Sequence, residues 1–186
     1  MDGFYINLKH DETRKNHMEN LKNKYDFFKK IQREEAVYHK NGAVGCYLSH
    51  INCLKKLQNT DGDYFLILED DFCILNENNF NDFVENFESI KNNNNWSMLI
   101  LTPRGSILKT NILNNFNRIE DNQTSTGYII KKSFIKHLLQ IFIDGVQKLV
   151  NGGNKYIYAL DQYWKHVQLK TNFIYFNKIF AGQLEG

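Results

Sequence analysis

The sequence predicts an α/β sandwich on a mainly parallel central sheet, and three observations predict it. Strand-like and helix-periodic segments alternate through the first hundred residues. Tyr64-Phe65-Leu66-Ile67-Leu68 is an unbroken apolar run of strand length, the pattern of a strand covered on both faces. That run passes directly into Glu69-Asp70-Asp71, which puts three carboxylates at a strand's carboxyl end, where open α/β sheets receive ligands. With 186 residues, 42% of them hydrophobic, the chain has apolar material for a full core and is expected to be one domain over 1–186.

The elements follow in order. Residues 4–8 read as the first buried strand. Asp11 is placed to cap a helix carrying Met18, Leu21 and Tyr25 on one stripe, and 27–31 reads as a short second strand. Gly42-Ala43-Val44-Gly45 opens a helix on which Val44, Tyr47, Leu48, Ile51, Leu54 and Leu57 recur at helical spacing. Asp61-Gly62-Asp63 is the turn into the central strand. Phe80, Phe83, Val84, Phe87 and Ile90 mark a further amphipathic helix. Residues 96–101 form a strand ended by Thr102-Pro103-Arg104-Gly105, which holds the only proline. Strand 127–130, a helix with Phe134, Ile135, Leu138, Leu139 and Phe142, a loop at 151–154, a helix over 158–167 and a last strand at 173–176 complete the pattern.

Composition narrows the function. A net charge of +2 without any Lys/Arg block gives no electrostatic footprint for nucleic acid or membrane. Cys46, Cys53 and Cys73 are odd in number, widely spaced and set in apolar stretches, so reduced, buried thiols are expected rather than a disulfide framework or zinc knuckle. The N-terminus has no apolar stretch of signal-peptide length, and no segment has the length of a membrane span; a cytoplasmic chain is expected. Without a secretion signal, the glycosylation-like triplets at Asn95 and Asn122 are read as chance.

The acidic triplet carries the strongest chemical signal. Adjacent carboxylates repel one another unless a cation lies among them, and Mg²⁺ or Mn²⁺ takes oxygen ligands while keeping positions for phosphate. On an extended chain Glu69 and Asp71 share one face and Asp70 takes the other; the plain alternative is a solvated turn. Ser49 and His50 follow the glycines of the second helix, where an anion could approach the backbone, or they serve only to pack that helix. Arg14 suits a diphosphate or a solvated helix face. Asp161 suits a general base or a helix cap. Thr124-Ser125-Thr126-Gly127-Tyr128 suits an acceptor pocket or a loop entering a strand, and Tyr158, Tyr163 and Trp164 suit sugar stacking or a core.

In order along the chain, these blocks resemble glycosyltransferase family 25, the lipooligosaccharide and procollagen galactosyltransferase group. The resembling segments are Tyr5-Ile6-Asn7-Leu8 with Arg14, Gly42-Ala43-Val44-Gly45-Cys46-Tyr47-Leu48-Ser49-His50, Leu66-Ile67-Leu68-Glu69-Asp70-Asp71, Thr126-Gly127-Tyr128-Ile129-Ile130, Ala159-Leu160-Asp161 and Ala181-Gly182-Gln183. The resemblance implies a GT-A-like fold and a metal-dependent, inverting transfer of a hexose, galactose above others, from a UDP-sugar to a hydroxyl of a glycan or a hydroxylated protein side chain. It implies Mn²⁺ or Mg²⁺ at Glu69 and Asp71. The donor would lie near Asn7, Arg14, Gly45, Ser49, His50 and Asp70, and the acceptor near Thr126, Tyr128 and Trp164. Asp161 is the first choice of base and Asp70 the second. One departure stands out: the family often carries an acid after the first glycine of the glycine block, and this chain has Ala43. Two rivals remain, a catalytically silent sugar- or nucleotide-binding domain and a nucleotidyltransferase.

Overall fold

A computed structural model describes residues 1–106, 110–168 and 170–184. The strands are β1 (Gly3–Asn7), β2 (Ile31–Glu35), β3 (Tyr64–Glu69), β4 (Phe72–Ile74), β5 (Met98–Ile100), β6 (Gly105–Ser106), β7 (Asn111–Leu113), β8 (Phe116–Arg118), β9 (Asp121–Asn122), β10 (Gly127–Lys131), β11 (Phe173–Phe176) and β12 (Ala181–Gln183). The helices are α1 (Glu12–Lys24), α2 (Gly42–Gln58), α3 (Glu77–Ile90), α4 (Lys132–Val150), α5 (Lys155–Tyr158), α6 (Leu160–Tyr163) and α7 (Lys165–Gln168).

The main sheet runs β2-β1-β3-β10-β5-β11-β8-β7. β1 pairs in parallel with β2 and β3, and β5 with β11. β10 is antiparallel to both of its neighbours, β3 and β5, so those two still point the same way. Only β10 and β8 oppose the common direction. Alternation sorts the side chains: Phe65 and Ile67 of β3 join the core under α2 and α4, while Leu66 and Leu68 join the core under α1 and α3. Both faces are thus dry, which is why β3 reads as a continuous apolar run.

Two element expectations are corrected. Residues 26–28 form a 3₁₀ turn, and the second strand begins only at Ile31. Phe27 and Phe28 pack edge-on or stacked against Phe80 of α3, so their apolarity serves that cluster; β2 is an edge strand with Gln32 and Glu35 exposed and Glu34 buried. The expected helix over 158–167 is broken, because Ala159 is extended at ψ 152°, and α5, α6 and α7 replace it. The three cysteines are free. Among the described residues no helix is long and apolar enough to cross a membrane.

Candidate active site

The site lies at the carboxyl ends of β1 and β3. Ile6 stands opposite Glu69 in register, so Asn7 and Asp70 leave the sheet side by side. Asn7 Nδ2 donates to Asp70 Oδ2 at 2.8 Å, and Arg14 Nη1 donates to Asp70 Oδ1 at 3.0 Å. Asp11 caps α1 by accepting the Arg14 N–H at 2.9 Å, which fixes the root of the arginine. The hydrogen bond to Asp70 raises the Arg14 guanidinium above its ordinary value, so it stays a cation. On the other side, Arg33 Nε donates to Asn7 Oδ1 at 2.9 Å.

Glu69 is held by different partners. Its N–H donates to the Thr126 carbonyl at 2.7 Å, where β10 joins β3, and this brings in Ser125. Ser125 Oγ donates to Glu69 Oε1 at 2.5 Å, and His50 Nε2 lies 3.2 Å from the same oxygen. His50 is buried, and its Nδ1 lies 2.9 Å from the Tyr128 hydroxyl. Burial pushes the Glu69 carboxyl up, but hydrogen bonds from His50 and Ser125 outweigh it and hold the group below its ordinary value.

The strand alternation expected to extend through the triplet stops at Glu69, because residues 70 and 71 form the turn into β4. Both aspartates therefore come within reach of Arg14, Asp71 Oδ2 at 4.0 Å from Nη1. Gln183 Nε2 donates to the same Asp71 oxygen at 3.3 Å, placed by the pairing of β12 with β4. Asp71 Oδ1 is buried and has no hydrogen-bond partner. Burial, and then the Glu69 charge, push Asp71 up to about 6. A buried carboxylate oxygen without a donor, beside a second carboxylate, fits the donor set of a hard divalent cation.

Two clefts flank this rim. The first, about 280 Å³, has an apolar wall of Ile6, Leu8, Ala36, Val37 and Tyr38 and a polar floor including Arg14 and Asp70. The second, about 350 Å³, is lined by Arg104, Ser125, Thr126, Asp161 and Gln183. Gly42, Cys46 and Glu69 line both, so Glu69 stands on the wall between them.

The expected site residues divide accordingly. Asn7, Arg14, Gly45, Ser49, His50 and Asp70 gather at the first cleft or its supports. Ser49 Oγ donates to the Gly45 carbonyl and accepts the Val37 N–H, each at 2.8 Å, which ties the β2–α2 connection to the helix. A Cβ on Gly45 would stand 2.6 Å from the Val37 carbonyl oxygen, so this close approach requires glycine. Asp161 lies in the first turn of α6 rather than at its cap, which is Ala159. Burial raises the Asp161 carboxyl, and the Glu69 charge adds to that.

Two acceptor-side expectations are corrected. Trp164 and Tyr128 are both 0% exposed. Their rings meet edge to face at 5.8 Å, and Trp164 Nε1 donates to the Asn122 carbonyl at 3.2 Å. Neither offers a face to a sugar; the Tyr128 hydroxyl meets His50 instead. Asn122 is equally buried and donates to the Thr124 carbonyl, so its triplet is no glycan acceptor. Ser125, expected on the acceptor side, lines the second cleft, but the sequence offers no sign of its bond to Glu69 and singles out neither Cys46 nor Arg104 as a site residue. Ser125 sits in the Thr-Ser-Thr run but meets Glu69 only through a strand pairing remote in sequence. Cys46 lies within the glycine block and Arg104 beside the only proline, and those neighbours were the available signals.

The fold and the sequence have relatives. A family model described as glycosyltransferase family 25 (LPS biosynthesis protein) matches residues 1–164. A solved glycosyltransferase involved in the glycosylation of the major capsid of PBCV-1 superposes with a TM-score of 0.59 at 13% identity, covering 100% of this chain and 92% of that one. A197 from STIV gives 0.52 at 10% identity, with 100% and 86% covered. Apo UDP-glucose pyrophosphorylase gives 0.50 at 8%, with 96% and 73% covered. At such identities the structural likeness is one of fold, a GT-A type α/β sandwich. No curated protein sequence matches. Since the matched span takes in all of the sandwich but α7, β11 and β12, the chain belongs to glycosyltransferase family 25 and is a sugar transferase.

Proposed function

We propose that the chain moves a hexose, galactose foremost, from a UDP-sugar to a hydroxyl of a glycan or a hydroxylated protein side chain, inverting the anomeric centre with the help of Mn²⁺ or Mg²⁺. The observation that carries this reading is the meeting of two clefts at one carboxylate wall, with Arg14 on one side and Asp161 on the other.

The first cleft suits the donor. Its apolar wall, with the exposed ring of Tyr38 at the rim, suits a uracil base. Arg14, held cationic by Asp70, would neutralise diphosphate oxygens, and Gly42 at the start of α2 lets them approach helix N–H groups. Glu69 and Asp71 would hold the divalent cation, which when bound would supply charge to the departing diphosphate. His50 and Ser125 keep Glu69 ionised and aimed.

The second cleft suits the acceptor. Asp161, with its affinity for protons raised by burial, would take the hydroxyl proton as that oxygen attacks the anomeric carbon from the side opposite UDP. Asp70 suits the base role less, because Asn7 and Arg14 already occupy its oxygens. The test is UDP release from a panel of UDP-sugars, with and without Mn²⁺. Mn²⁺-dependent UDP release is expected, with UDP-galactose the best donor. Absence of both UDP release and UDP binding across the panel would defeat the proposal, and pyrophosphate release would point to nucleotidyl transfer.

A further inference from the structure

We infer that Cys46, His50 and Glu69 form a binding site for a soft divalent cation, Zn²⁺ or its Co²⁺ surrogate, different in donor chemistry from the all-oxygen pair Glu69 and Asp71. Cys46 and His50 lie one turn apart on the same face of α2, and the end of β3 brings Glu69 against that face. One ligand atom from each lies within 4.8 Å of the others. Around tetrahedral zinc, nitrogen and oxygen ligands stand about 3.3 Å apart; His50 Nε2 and Glu69 Oε1 are already 3.2 Å apart. The Cys46 sulfur lies within 4.8 Å of both and would complete the set by moving inward.

The imidazole is supported as a metal ligand would be. Its other nitrogen, Nδ1, meets the buried Tyr128 hydroxyl at 2.9 Å. With an ion on Nε2, Nδ1–H donates to the Tyr128 oxygen, and the ring cannot swing away. Cys46 and Glu69 line both clefts, so an ion has an open approach and water can fill a fourth position. A thiolate and an imidazole select Zn²⁺ over Mg²⁺ or Mn²⁺. Each ion bound displaces one proton, that of the Cys46 thiol, to solvent. Binding itself does not depend on sugar transfer; its consequence does, since an ion here takes Glu69 away from the oxygen-donor pair and would inhibit the transfer proposed above.

The test titrates the metal-free chain with Co²⁺ in the absence of any donor. A near-ultraviolet thiolate-to-cobalt charge-transfer band is expected, saturating at one ion per chain and displaced by Zn²⁺. The Cys53→Ala/Cys73→Ala variant should keep the band. Cys46→Ser should lose it and bind Zn²⁺ at least about tenfold more weakly, and Tyr128→Phe should weaken Zn²⁺ about tenfold through the imidazole. No band in folded wild type, or an undiminished band in folded Cys46→Ser, overturns the inference. Should Cys46→Ser not fold, alkylation mapping of wild type decides: Zn²⁺ protecting Cys46 supports the site, and equal modification with and without Zn²⁺ overturns it. Because no UDP-sugar is present, failure here leaves the donor assay untouched, and failure there leaves this band intact.

Discussion

Asp71→Asn should stabilise the metal-free protein near neutral pH, although it removes a residue of the rim. Asp71 is displaced from 3.8 to about 6, burial first and the Glu69 charge second. At about 1.36 kcal/mol per pH unit this difference is worth about 3 kcal/mol. For a carboxyl raised in the folded state, the folded chain holds the proton more tightly than the unfolded chain. Stability is therefore lost as pH rises through the window from 3.8 to about 6 and stays lower above it. Asparagine carries no such charge. It also gives up the Gln183 contact in its present form, so a gain of about 1–3 kcal/mol is expected at pH of about 8, vanishing at pH of about 4. Urea denaturation of both proteins at the two pH values, in chelator, measures it. Adding Mn²⁺ should reverse the order, because only wild type keeps both proposed ligands; at about a thousand times Kd the ion adds about 4.1 kcal/mol. A variant less stable than wild type at the higher pH, or a gain equal at both pH values, would refute the assignment of burial and charge repulsion at Asp71.

Other substitutions separate binding, chemistry and scaffold. Asp161→Asn should leave UDP binding intact and lower turnover by about 10²–10⁴, read by calorimetry and UDP release; retained turnover would move the base elsewhere. Gly45→Ala forces a carbon to 2.6 Å from the Val37 carbonyl, so a loss of about 1–3 kcal/mol is expected by urea denaturation, together with weaker donor binding. Trp164→Phe should lower stability by about 1–3 kcal/mol through the lost Asn122 hydrogen bond and packing while leaving acceptor KM unchanged; a raised KM alone would return Trp164 to the acceptor side.

The parts of this site legible in the sequence were those written locally. The β3 run and its three acids lie within eight residues, and burial on both faces suffices to produce the pattern. Asp11 capping α1 below Arg14 is likewise a short-range signal, and the structure repeats it. What was illegible depends on pairings made across the chain. Nothing near Ser125 announces Glu69, because β10 reaches β3 by an antiparallel pairing that its own residues do not encode. Tyr128 and Trp164 misled for the same reason: an aromatic ring that stacks on sugar and one that fills a core have the same local signature. The short strands β6 to β9 carry no period long enough to read.

The reversed strand β10 also governs when the molecule can be completed. It slots between β3 and β5, both of which precede it in the chain. A nascent chain released before Gly127 would already possess the acids yet expose two strand edges of unpaired N–H and C=O groups flanked by apolar side chains, an adhesive surface for other copies. Assembly therefore hinges on a late insertion, and truncated products are expected to clump rather than work.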